Sequence, residues 1–199
     1  MKFVLVRYNN DCEWAKEYTN DILIYDRSEV LLTGENIIRT ENKGQVDYDK
    51  LAYLIDNYDT LPEVFLWAKA NLIGRFVEKE EFERLLKEEK FAPLYRKDHN
   101  ANFPYYGYDE SGMYYELNTS WYTSQLDNIF SVYEEFADYM SIPSPHRLRF
   151  PPGGNFILTK ECVHKHPKEF YEKARNLLPH SQNPAEAHML ERTYLSLWE

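Results

Sequence analysis

A chain of 199 residues has room for one domain with a single well-covered sheet. A net charge of −10 excludes a general nucleic-acid binder, which needs a basic footprint to displace counterions. Only Cys12 and Cys162 are present, which excludes a disulfide framework and a cysteine-based zinc site. No segment approaches a membrane span, and the first apolar run is too short for a signal peptide, so a cytoplasmic chain in a reducing compartment is expected.

Phe3 to Arg7 reads as a buried first strand, ended by Asn9-Asn10-Asp11. Asp11 is placed to cap a short helix carrying Trp14 and Tyr18. Asp21 to Tyr25 is a second strand and Asn36 to Thr40 a brief third. After the polar turn Asn42-Lys43-Gly44 comes the clearest helix, with Leu51, Leu54, Ile55 and Tyr58 at helical spacing and Asp47 or Asp49 in its first turn. Asp47 suits either a cap or a contact to a ribose hydroxyl. Asp59 to Pro62 stops that helix, and Val64 to Trp67 re-enters the sheet.

Glu78 to Glu89 is a charged helix with Phe82, Leu85 and Leu86 turned inward. Pro93 to Tyr122 is rich in Tyr, Asn, Gly and Asp and reads as a long irregular, functional segment. Helices are expected over 126–140, 166–178 and 184–198, with a turn at Phe150 to Gly154 and a strand at Asn155 to Leu158. The order of elements predicts an α/β fold: a single mixed, mostly parallel sheet flanked by helices, in one domain over residues 1–199.

A strand, a polar turn and a helix put backbone N–H groups at the carboxyl end of a sheet, where open α/β folds bind nucleotides and phosphates. The Asn42 to Gly44 turn has that setting. Seventeen Tyr and 16% aromatic residues suit core packing, and equally a surface that stacks on sugars or bases. The basic stretch His146 to Arg149, with Lys160, His164, Lys165 and His166, offers a local grip for a small anion. His164 and His166 lack an evident third metal ligand. There is no Walker loop, glycine-rich dinucleotide fingerprint, nucleophile elbow or zincin motif, so those enzyme classes fall away.

Several segments together resemble a family of small glycosyltransferase-like proteins of the GT-A type, found in fungi, bacteria and large viruses. They are Val6 to Asp11, Asn42 to Gly44 with the helix ending in Ile55 to Pro62, Pro152 to Lys160, and Glu191 to Trp198. The resemblance implies a nucleotide-sugar-binding fold and a nucleotide-sugar-dependent transferase acting on a glycan or other hydroxyl acceptor. It also implies that Arg7, Tyr8, Asn9 and Asp11, with Asn42 and Gly44, hold the nucleotide. Gly153, Gly154 and Asn155 would shape the sugar and acceptor side.

Many GT-A enzymes hold Mn²⁺ or Mg²⁺ with an Asp-x-Asp motif after the fourth strand. Here that position reads Trp67-Ala68-Lys69-Ala70-Asn71, without a carboxylate. Lys69, with Arg75, is the candidate substitute, because a cation neutralises a departing diphosphate. Sugar transfer by inversion also needs a base for the acceptor hydroxyl. Asp109, Glu110, Glu116, Glu186, His188 and Glu191 are candidates, and Glu191 leads because it forms a family-like pair with Arg192 and shares a helix face with His188. The same Glu191 equally suits a salt bridge fixing the last helix. Trp121 and Tyr122 suit stacking on a sugar or simple packing. The rival to an enzyme is a non-catalytic carbohydrate-binding or interaction module on the same fold.

Overall fold

Apolar β-branched runs that are buried on both faces make the central strands of this chain. A computed structural model describes residues 1–30, 32–97 and 106–199. In chain order its strands are β1 (Lys2–Arg7), β2 (Ile22–Asp26), β3 (Ile37–Arg39), β4 (Val64–Lys69) and β5 (Ala92–Leu94). They continue with β6 (Tyr106–Tyr108), β7 (Tyr114–Leu117), β8 (Arg147–Arg149) and β9 (Asn155–Thr159). The helices are α1 (Gln45–Asp56), α2 (Lys79–Glu88), α3 (Tyr133–Met140), α4 (Lys160–Val163), α5 (Lys168–Asn176) and α6 (Ala185–Trp198).

The fold is α/β. Its central six-stranded sheet has the order β3-β2-β1-β4-β9-β5, and β6, β7 and β8 form a second, antiparallel sheet. β3, β2, β1 and β4 pair in parallel, whereas β9 runs antiparallel to both β4 and β5. Alternate residues of each central strand face opposite layers. Val4, Val6, Phe65, Trp67, Phe156 and Leu158 join α1, α3, α5 and α6 in the larger core. Phe3, Leu5, Leu66, Ala68 and Ile157 meet Phe82 of α2 on the other face. Among the described residues no helix is long and apolar enough to cross a membrane.

Four expectations change. The single expected sheet is two, because β6, β7 and β8 pair only with one another. The segment 93–122, outside residues 98–105 (which are not among those described), carries part of β5, all of β6 and β7, and a 3₁₀ turn at Trp121–Ser124. These strands hide in the sequence because Tyr fills both faces and Gly107 interrupts the pattern; the Tyr115 ring lies over Gly107, where a Cβ would come within 2.7 Å of the hydroxyl. The helix expected over 126–140 begins only at Tyr133, and Ile129 stays 52% exposed. The basic stretch near 147 is β8, whose Leu148 points inward between exposed arginines.

Arg149 and Lys165 are spent on structure. Arg149 binds Asp109 at 2.7 Å and Glu199 at 3.2 Å. Lys165 donates to the carbonyls of Trp198 and Glu199 at 3.0 and 2.8 Å, closing the carboxyl end of α6.

Arg7 and Asp26 lock β1 to β2. The guanidinium of Arg7 donates to Asp26 Oδ1 (2.8 Å), Ser28 Oγ (2.7 Å) and two backbone carbonyls, and Asp26 also accepts from the N–H groups of Ser28 and Leu32. Both residues are buried. Asp26→Ala would strand a buried guanidinium and two amides, so a loss of about 3–5 kcal/mol in urea denaturation is expected.

Candidate functional site

The chain runs β1 to β2 to β3 in one direction and then returns to place β4 on the far side of β1. That reversal opens a crevice at the carboxyl ends of β1 and β4, the place where open α/β sheets take ligands. The two ends stay in register because Ala70 N–H donates to Val6 O at 2.9 Å. Lys69 closes β4, and its N–H donates to Asn155 Oδ1 (2.8 Å) at the start of the antiparallel β9. The Asn155 side chain is fully buried, and its Nδ2 makes no hydrogen bond among the described residues.

Helix α6 crosses above this edge and delivers Glu191. Glu191 Oε2 stands 3.9 Å from Lys69 Nζ, and each side chain is 20% exposed. Burial works against the Glu191 charge, but Lys69, Arg192, His188 and the Gly153 N–H outweigh it and hold its pKa below the usual glutamate range. One layer deeper lie Asp47 and Lys50 of α1, both buried. Lys50 Nζ donates to Gly154 O and sits 3.9 Å from the centre of the Trp67 ring. Burial lowers the Lys50 pKa to about 7 against the attraction of Asp47, and burial raises that of Asp47. The buried Tyr194 hydroxyl faces Asp47.

Beside the charges is an aromatic wall. His188 stacks on Tyr122 at 5.5 Å, and its Nε2 is 3.3 Å from Gln45 Nε2. Burial first, helped by Arg192 and Lys69, pushes the His188 pKa down to about 4 against the pull of Glu191. The imidazole is therefore neutral near pH 7. Trp121 meets His188 edge-on at 6.1 Å.

Along the same sheet edge, beyond the end of β1, lies an open cleft of about 700 Å³ lined by Tyr8, Ser28, Glu29, Arg39, Asn42 and Gln182. It continues toward the charged cluster through Gln45, whose N–H donates to Gln182 O at 3.1 Å.

Of the residues expected from sequence, Lys69, Asp47, His188, Glu191, Gly153, Gly154 and Asn155 converge, with Trp121 at their side. Tyr8, 42% exposed, and Asn42 line the neighbouring cleft. The others have internal duties. Arg7 is occupied by Asp26 and Ser28. Asn9 accepts from Glu29 N–H (3.3 Å), and its own N–H donates to Ser28 Oγ (2.7 Å). Asp11 accepts from Glu13 N–H at 3.0 Å.

Asp109, expected as a base, closes the β6–β7 hairpin by accepting from Ser111, Met113 and Arg149. Burial opposes its charge, but those donors hold its pKa low, and they occupy both of its oxygens inside the hairpin. Arg192 binds Glu116 of β7 and is boxed by Tyr122 and Phe150 at 4.7 and 4.6 Å. It is a strut rather than a free ligand-binding cation.

The start of α1 also departs from expectation. Neither Asp47 nor Asp49 caps it. Gly44 (φ 65°) and Gln45 (φ 52°) are both left-handed, and their N–H groups donate to Ser181 O (2.8 Å) and Gln182 O (3.1 Å). Those two donors are thus not available to a phosphate. Gly44 is required by packing, since a Cβ there would meet Leu178 Cβ and Tyr48 Cβ at 2.8 Å. Gly44→Ala should lower the melting temperature with no ligand present.

Sequence reasoning missed Lys50 and Gln45. A signal for Lys50 existed: Asp47, Lys50, Leu51 and Leu54 share one helical stripe, and charges on an apolar stripe mark a buried polar site. Mn²⁺ or Mg²⁺ does not fit the donor set. The two nearest carboxylates, Asp47 and Glu191, are each matched by a lysine, and hard dications want several oxygen ligands. Among the described residues no group of three or more His, Cys, Asp or Glu side chains is arranged to hold a metal ion.

The chain belongs to the family described as Protein of unknown function (DUF3431), which matches residues 4–199. No curated protein and no solved structure matches it.

The His188 shift gives a pH signature. A histidine whose folded pKa is lowered binds its proton more readily when unfolded, so stability falls as pH drops from about 6.5 toward about 4. His188→Gln should flatten that decline, by up to about 3 kcal/mol, when urea midpoints are compared between pH 7 and pH 4.

Proposed function

We propose that this protein transfers a sugar from a nucleotide-sugar donor to a hydroxyl acceptor, on a nucleotide-sugar-binding fold of the GT-A type. The observation that carries the reading is the opposition of Lys69 and Glu191 at the switch-point crevice, 3.9 Å apart and both partly open to solvent. Sugar transfer requires a positive charge where the diphosphate departs and a negative one where the acceptor proton goes. This pair supplies one of each. The adjoining cleft, with the exposed Tyr8 ring at its wall, has the size and aromatic surface for a nucleoside.

In this mechanism the acceptor hydroxyl gives its proton to Glu191 while its oxygen bonds to the anomeric carbon. The bond from that carbon to the diphosphate breaks, and its electron pair stays on the diphosphate beside Lys69. Glu191 is already ionised at neutral pH, so activity should persist to a pH below the ordinary glutamate range. Trp121 and His188 form the acceptor wall, with the buried Tyr122 stacked behind His188.

The test is a thermal-shift screen of nucleotide sugars with and without Mn²⁺, followed by calorimetry with uridine and guanosine diphosphates. Binding and turnover are expected, with Lys69→Met weakening the diphosphate and Glu191→Gln losing about 10²–10⁴ in rate at little cost to nucleotide affinity. No response to any nucleoside diphosphate overturns the reading. Response to a glycan alone would make the protein a carbohydrate-binding module instead.

A further inference from the structure

Lys50 is the least expected residue near the crevice. A lysine with no solvent exposure gives up hydration worth several kcal/mol, and methionine would fill similar space without that cost. Its surroundings hold it from three sides. Its ammonium donates to Gly154 O, the same ammonium lies over the Trp67 ring, and its own carbonyl accepts from Trp67 Nε1 at 2.8 Å.

Gly154 ends a turn closed by its N–H on Pro151 O (2.9 Å). A Cβ on Gly154 would lie 3.6 Å from Glu191 Cγ, so this turn is the floor under the carboxylate. The Gly153 N–H in the same turn helps to lower the Glu191 pKa. Lys50 and Glu191 therefore meet the same turn, Lys50 by holding the Gly154 carbonyl and Glu191 by packing its side chain over Gly154.

We propose that Lys50 is a positioning residue for Glu191: its buried ammonium pins the Gly154 carbonyl and so fixes the turn on which the Glu191 side chain rests. A neutral donor would satisfy the carbonyl equally well. The charge is what adds reach, because Glu191, Asp47 and Lys69 all lie within its field. The remaining groups that act on Glu191 are Arg192 and His188 from its own helix, and the Tyr194 hydroxyl lies close by. The role deepens the transferase reading but has a readout that does not need turnover.

The experiment follows the Glu191 carboxyl carbon by NMR in the full chain, assigned with Glu191→Gln. In Lys50→Met its titration midpoint should move up toward the ordinary glutamate range, and a transferase should lose about tenfold or more in kcat with donor KM little changed. A purely structural lysine would lower the melting temperature and leave the Glu191 midpoint in place, which overturns the proposal. If Lys50→Met does not fold, the wild-type protein decides. Lys50 Nζ and the Glu191 carboxyl, titrated together, should behave as a coupled pair, each resonance sensing the other's proton; independent curves overturn the proposal. Coupling without any nucleotide-sugar turnover would leave Lys50 in this role and remove the transferase reading alone.

Discussion

Everything at the crevice depends on how α6 is seated on the sheet. Trp67 of β4 and Phe156 of β9 present adjacent rings to that helix, and Tyr194 and Trp198 land on them. Tyr194 and Trp198 stack in parallel at 5.0 Å, and each meets Trp67 edge-on at 5.1 and 5.2 Å. Phe156 meets Trp198 edge-on at 5.0 Å. Offset and edge-to-face arrangements of this kind are directional, so the helix has one rotation that satisfies all of them. A slip of one residue would turn α6 by about 100° and carry Glu191 away from Lys69. Trp67 ties the second layer to the same anchor, because its ring and its indole N–H both hold Lys50.

The charges laid over that aromatic base alternate. Lys69 faces Glu191 at the surface, and Lys50 faces Asp47 beneath. Burial disfavours the charges of Asp47, Lys50 and Glu191, and the arrangement offsets it by giving each a neighbour of opposite sign. Glu191 is held in its charged form, while the buried Lys50 and Asp47 are shifted toward neutrality. Polarity at the crevice is thereby concentrated where a ligand can reach it.

Much of the central sheet was legible in the sequence, because β1, β2, β4 and β9 are short apolar runs bounded by turn residues, and α1 and α6 carry long helical stripes. The small sheet was not legible. Its strands are three or four residues long and rely on Tyr–Tyr and Tyr–Gly pairing across the sheet rather than on alternation. For the candidate site, the missing carboxylate motif and the Glu-Arg pair pointed to Lys69 and Glu191, which the fold brings to 3.9 Å of each other. Arg7, Asp109 and Arg192 looked equally available in one dimension. Only the fold reveals that Asp26, Arg149 and Glu116 already occupy them.

The position of β9 has a consequence for how the molecule assembles. It comes from residues 155–159, yet it sits between β4 and β5, which end 86 and 61 residues before it begins. Until that strand is in place, β4 has an unpaired apolar edge and β5 has no partner in the sheet. The amino-terminal β3-β2-β1-β4 unit is thus the portion able to form first, and insertion of a late strand between two early ones must follow. Such non-local pairing slows folding and leaves an open edge in the meantime. During synthesis the nascent chain carries this adhesive edge until its last quarter emerges, so the stage most exposed to misassembly is also the one that completes the floor of the crevice.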